Sequence, residues 1–325
     1  INNIVSSSAS GNYANSDVSY AVGGVLMNYG GTVGTVDGSF SKNYALGTQK
    51  AAGGAIDNEN GTVGNIGTLA AATFSENYAK ATDAAGWGGA LGGVIYNDNG
   101  RFYDIGSSSY QASFSKNYAE SNAVLAAGGA IANTGTTGMG NIFADFSENY
   151  VKVSDGNAYG GAIYNVAPIG NVKGLFTGNY AQGVAESKGG AIYNTVNMTV
   201  QDSTFTNNSV SGGTAQGGAI YNSGTLSLIA NASDTTFKGN TADYNVDAQG
   251  NYTVAVTDDD TAIGGGAISL GAISSTNVGS ITNTTFENNK SGTNGGAIAT
   301  RQAIHANNSG ARLDISADFT GNTAA

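Results

Sequence analysis

The sequence predicts an all-β chain, a single parallel β-helix of about nine to ten coils that occupies the whole of residues 1–325 as one repeat domain. Three observations carry that prediction. A motif GG-[AV]-[IL]-x-N recurs at Gly23-Gly24, Gly53-Gly54, Gly92-Gly93, Gly128-Gly129, Gly160-Gly161, Gly189-Gly190 and Gly217-Gly218, with copies at Gly265 and Gly295 that carry Leu270 and Thr300 in place of the Asn. A second motif, F-x-x-N, alternates strictly with the first and reads Phe40/Asn43, Phe74/Asn77, Phe114/Asn117, Phe146/Asn149, Phe176/Asn179, Phe205/Asn208, Phe237/Asn240, Phe286/Asn289 and Phe319/Asn322. Finally, the apolar runs between turn residues are strand-length and none has helical i, i+3, i+4 spacing. Successive GG pairs lie 28 to 48 residues apart, mostly near 30. A unit such as Gly217 to Ala242 holds the runs AIYN, TLSLI and TTFKGN, which predicts three short strands per coil. At the usual inter-strand distance of ~4.8 Å the rod is on the order of 45 Å long.

Each repeated position has a task in such a stack. The Phe column (Phe40, Phe74, Phe114, Phe146, Phe176, Phe205, Phe237, Phe286, Phe319) is expected inside the coil, ring on ring. Leu26, Ile56, Ile95, Ile131, Ile163, Ile192, Ile220, Ile268 and Ile298 form the facing aliphatic column. Paired glycines suit a corner that needs positive φ and no Cβ. The Asn columns, Asn28 to Asn222 and Asn43, Asn77, Asn117, Asn149, Asn179 onward to Asn322, read as amide ladders at turns. Signs alternate down Lys42, Glu76, Lys116, Glu148 and down Lys80, Glu120, Lys152, as in-register pairing favours.

Composition narrows the function. With 23 Asp and Glu against 12 scattered Lys and Arg, the net charge of −11 leaves no footprint for nucleic acid. There is no Cys, so disulfides, thiolate metal sites and cysteine nucleophiles are excluded, and one His, His305, is too few for a multi-histidine zinc site. His305 reads as a surface residue just after the last GGAI rather than as a triad base. No catalytic residues, cofactor or metal site are assigned, and the chain is not expected to be an enzyme. It opens INNIVSSSAS, without a basic n-region or apolar h-region, the expectation for a processed fragment whose signal peptide has been removed.

The first candidate binding feature is the longest insertion, 241–263, expected to protrude as a β-hairpin around DAQGN. Its candidate contact residues are Tyr244, Tyr252, Asp258, Asp259 and Asp260. The three aspartates offer weak Ca²⁺ ligation, with a solvated acidic turn as the competing reading. Tyr13, Tyr44, Tyr78, Tyr118, Tyr150 and Tyr180 form one tyrosine column, and Tyr96, Tyr164, Tyr193 and Tyr221 a second, partial one. These columns read either as stacking that stabilises the coil or as an aromatic contact strip. Trp87, in GWGG, is a corner residue in both readings.

With GGAI and FxxN alternating over roughly residues 9 to 322, the sequence resembles the polymorphic outer-membrane protein repeats of chlamydiae and the related repeat passengers of bacterial autotransporters. The resemblance implies a right-handed, pectin-lyase-like β-helix exported to a Gram-negative cell surface or secreted, and acting in adhesion. It implies an outer-membrane barrel domain in the parent protein. The expected partners are a host-cell or microbial surface protein or glycan, with homotypic self-association as a further option. A structural spacer or self-assembling fibre subunit is the alternative, and a polysaccharide-cleaving enzyme the lesser one.

Overall fold

The computed structural model describes residues 1–83, 88–122, 124–230, 234–244, 264–271, 279–300 and 313–324. Among them there is no helix, and the strands stack into long parallel ladders, coil upon coil. The sheet that carries the isoleucine column has nine strands and the one that carries the first tyrosine column has ten, which counts about nine coils. Identical residues face one another along the axis: Phe40, Phe74 and Phe114 are register partners, as are Tyr44, Tyr78 and Tyr118, and Ile56, Ile95 and Ile131.

The expectation of three strands per coil is corrected to five in the early coils. One coil runs Leu26–Tyr29, Thr32–Val33, Val36–Ser41, Tyr44–Gly47 and Lys50–Ala52. The runs TLSLI and TTFKGN prove to be two pieces of one face, since Leu226–Ile229 and Thr235–Lys238 both pair with the long strand Gly279–Glu287. The faces that went unseen are built on alanine, in strands such as Tyr78–Ala81 and Lys50–Ala52. Alternating Ala with polar residues over three or four positions makes no apolar run, so periodicity does not reveal it.

The five strands enclose two cores rather than one. The main core holds the Phe column, the Ile column and the short strands with Val33, Val63, Phe102 and Met139. Neighbouring Phe rings stack with centroids 4.6–5.1 Å apart, and Phe74 through Phe286 are fully buried. A thin arm holds the second core. Ala45, Ala79, Ala119, Val151, Ala181, Val210 and Ala242 of the tyrosine sheet pack there against Ala51, Ala90, Ala126, Ala158 and Ala215. Side chains this small let strands of the two faces bring Cα atoms within 8 Å, closer than the ~10 Å usual between sheets.

The two motifs meet at the neck between arm and core. The third position of FxxN bends the chain in the left-handed region, at Lys42 (φ 56°), Glu76 (55°), Lys116 (55°) and Glu148 (54°), and Gly178, Asn207, Gly239 and Asn288 follow the same path. Opposite the bend, the first Gly of each GG pair also has positive φ, for example 56° at Gly53. The second Gly is needed for space instead: a Cβ on Gly129 would lie 2.6 Å from the Tyr150 carbonyl oxygen, and one on Gly161 2.6 Å from that of Tyr180. Backbone therefore crosses backbone at the neck, which is why the two motifs travel together.

The FxxN asparagines fill that neck, and those from Asn43 to Asn289 are fully buried. The Nδ2 of Asn77 donates to Asn117 Oδ1 (3.0 Å) in the next coil and to the Phe40 carbonyl (2.9 Å) in the previous one, while the Asn77 backbone N–H shares the same Oδ1 (2.9 Å). The pattern continues to Asn322. A second ladder joins Asn28, Asn58, Asn97, Asn133, Asn165, Asn194 and Asn222 through Nδ2–Oδ1 bonds of 2.6–2.9 Å. It stops where Leu270 replaces Asn, and Leu270 is buried.

Candidate functional site: a cleft beside the glycine corner

Because the chain folds back at GG, the outward residues on the two strands flanking the corner face each other. Before the corner, Ala51 points into the arm while Lys50 and Ala52 point out. After it, Ile56 and Asn58 point into the core while Asp57 and Glu59 point out. The outward residues meet as a third cluster, Ala52, Leu91, Tyr96, Ala127 and Ala132, with Val22, Leu125, Tyr159 and Tyr164 packed against it. The result is a re-entrant corner along the rod, a cleft packed with apolar and aromatic side chains and edged by charge.

Its character changes along the axis. At one end Asp57, Glu59 and Asp98 lie opposite Lys50, whose Nζ is 3.9 Å from Glu59 Oε1 and 4.5 Å from the Tyr96 ring centroid. Asp57 is fully buried, and neither of its carboxyl oxygens has a hydrogen-bond partner. Burial, reinforced by the Glu59 charge, pushes its pKa up to about 8. At the other end Tyr159, Tyr164, Tyr193 and Tyr221 stack across the corner, with Tyr159–Tyr193 centroids 4.8 Å apart and Tyr193–Tyr221 5.1 Å. Lys188 lies over the Tyr221 ring at 5.2 Å and donates to Glu186 Oε2 (2.9 Å), which also accepts from the Tyr159 hydroxyl (2.6 Å). Burial alone would raise the Glu186 carboxyl, but the hydrogen bonds from Tyr159 and Lys188 hold it below its ordinary range. Burial raises the hydroxyls of Tyr96, Tyr159, Tyr164 and Tyr193 above the usual tyrosine value. Perturbed groups converging in a concave, aromatic-lined feature are the usual mark of a binding site.

The other tyrosine column lies on the outer face of the arm. Tyr13, Tyr44, Tyr78, Tyr118, Tyr150 and Tyr180 stack at 4.8–5.1 Å. Beside them Lys80 pairs with Glu120 (3.0 Å), which also accepts from the Tyr150 hydroxyl (3.1 Å). In the column of bend residues Lys116 and Glu148 come within 3.9 Å, both mostly exposed.

Of the candidate binding residues in the insertion, only Tyr244 is described, as the last residue of the strand Thr241–Tyr244, and its side chain is not. That strand pairs with Ser209–Gly212 and Lys290–Ser291, so residues 241–244 belong to the coil and not to an insertion. Tyr252, Asp258, Asp259 and Asp260 lie outside the described residues, as do Trp87 and His305. Among the described residues no three His, Asp or Glu side chains are placed to share a metal ion.

Sequence reasoning singled out Tyr96, Tyr164, Tyr193 and Tyr221 as a column, either stacking or contact strip, and passed over Lys50, Asp57, Tyr159, Glu186 and Lys188. The available signal was Asp57 itself, an acid in the Tyr position of GGxIYN.

Three segments, 173–195, 202–223 and 283–301, match the Chlamydia polymorphic membrane protein repeat. Each matched segment contains one FxxN and one GGAI, the two sides of the neck. No curated protein and no solved structure matches the chain. A family of this description points to an outer-membrane or surface location. The matched segments supply strands to the neck and to both cores, while the cleft residues differ from coil to coil.

Proposed function

We propose that the chain is the surface-displayed β-solenoid passenger of an exported, autotransporter-type protein, and that it works as an adhesin, by contact rather than by catalysis. The observation that carries the reading is the cleft: a repeat rod whose inside is nearly invariant concentrates its varied aromatic and charged side chains along one concave line. Large, stiff tyrosines give contact area at low entropic cost. The occupant is a surface protein or glycan of a host or neighbouring cell.

The test is saturable retention of the labelled chain on host cells, mucin and a polysaccharide panel. Tyr159→Ser/Tyr193→Ser/Tyr221→Ser is expected to lose most of the retention with its β circular dichroism intact. Retention that survives this variant but disappears on deletion of 245–263 would move the contact to the insertion. A rigid spacer is the second reading, favoured by the unbroken Phe and Asn ladders. It predicts no retention at all.

A further inference from the structure

The acidic end of the cleft has an internal mismatch. Asp57 is buried with both oxygens unpartnered, so a carboxyl group with two strong acceptor sites lies where no donor reaches it. Among the described residues every charged or titratable neighbour can be named. On its own strand is Glu59; in the next coil are Tyr96, its register partner, and Asp98, the partner of Glu59. In the preceding coil Met27 pairs with Asp57 and Tyr29 with Glu59. Across the corner stands Lys50, beside Tyr20. Three carboxyl groups thus face one ammonium group. That ammonium sits over the Tyr96 ring and near Glu59, and it makes no hydrogen bond to Asp57.

We infer that this end of the cleft is a seat for an arginine side chain of a partner polypeptide, whose guanidinium displaces the Lys50 ammonium from the Tyr96 ring and pairs with both oxygens of Asp57. The inference rests on the reading of the cleft as the contact surface. The chemistry selects arginine. A planar guanidinium presents two parallel N–H donors to one carboxylate, stacks on an aromatic face and is weakly hydrated, whereas an ammonium is a strongly hydrated point charge. The site already holds a cation over Tyr96, so its field accepts one. Lys50, whose side chain is 18% exposed, is the group that moves aside.

Binding then has a proton signature. Asp57 is largely protonated at neutral pH, and a guanidinium stabilises the ionised form. Each arginine bound releases close to one proton to the buffer, and affinity rises as pH climbs toward 8.

The experiment titrates the 325-residue chain, ¹³C-labelled at aspartate carboxyls, with N-acetyl-arginine amide and N-acetyl-lysine amide, followed by NMR at pH ~6 and ~7.5. Saturable movement of the Asp57 carboxyl carbon is expected with the arginine probe, about twentyfold tighter at the higher pH. Lys50→Met should tighten it by about fivefold, by removing the internal competitor. Asp57→Asn, a neutral and nearly isosteric change, should abolish the accompanying shift of the Tyr96 ring signals. An unmoved Asp57 carbon, equal binding by Asp57→Asn, or equal binding of the lysine probe would overturn the arginine seat. Failure here is separable from failure of the cleft reading, because the triple tyrosine variant tested on cells leaves Asp57 untouched.

Discussion

Early and late coils share one frame and differ in what they hang on it. In the early coils the bend of FxxN is taken by Lys42, Glu76, Lys116 and Glu148 in the left-handed region, where a side chain with a Cβ costs roughly 1 kcal/mol or more. Tyr follows the Asn in each, and the rings stack with lysines and glutamates beside them. In the later coils Gly178, Asn207 and Gly239 take the bend with little strain, and Ser209 and Thr241 end the tyrosine stack. Across the corner the contrast inverts. The early cleft is acidic and apolar, with Asp57 and Leu91, and the late cleft holds the tyrosines with Lys188 and Glu186. The neck asparagines and stacked phenylalanines do not change between the two regions. Variation is confined to positions that face out, because an inward change must suit the coils above and below at once.

The largest effect should come from the neck. Gly161→Ala is expected to cost more than about 4 kcal/mol, because its Cβ meets backbone that has nowhere to go. Gly218→Ala in the later region should cost the same, and urea unfolding of the two variants checks whether the frame is indifferent to region. A clear difference between them would break the comparison. Next in size, Asn117→Ala and Asn208→Ala should each cost about 3 kcal/mol. Each strands a Phe carbonyl and the amide groups of the preceding Asn in a buried site.

Asp57 sharpens the contrast by pH. Its folded pKa of about 8 lies above the ordinary value of 3.8, so between those two the folded state keeps a proton that the unfolded state has lost. Its contribution to stability is therefore full below pH ~4 and is lost as pH rises through about 8. Each pKa unit corresponds to about 1.4 kcal/mol, so the slope should be measurable by thermal unfolding across that window. Asp57→Asn should flatten it, and a slope unchanged in the variant would place the titration elsewhere. The smallest effect belongs to the bend. Glu148→Gly should gain up to about 1 kcal/mol and Gly178→Glu lose as much, net of the greater flexibility of glycine when unfolded. The exposed Lys116–Glu148 contact, at 3.9 Å, is too weak to mask the difference.

Much of this frame was legible in the residues. A column of identical side chains such as Phe114, Phe146 and Phe176 announces its register by recurrence, and so does the Asn ladder beside it. The alanine arm was not legible, because Ala79 and Ala119 alternate with polar residues and resemble loop. The cleft was harder still. Its positions before the corner read Ala52, Leu91, Ala127, Tyr159, Lys188 and Gln216, and no letter repeats often enough to mark a column.

The sequence by itself determined the stacking: parallel, in register, about nine coils, with phenylalanine and isoleucine inside and asparagine at the turns. Stacking is a one-dimensional relation between like residues, and a period suffices to specify it. Only the tertiary structure decided the outline of each coil, with its neck, its thin arm and its cleft, and hence that Asp57 is buried and unpaired. That outline is the sum of several turn angles within a coil, and it brings together residues from two strands that share no pattern.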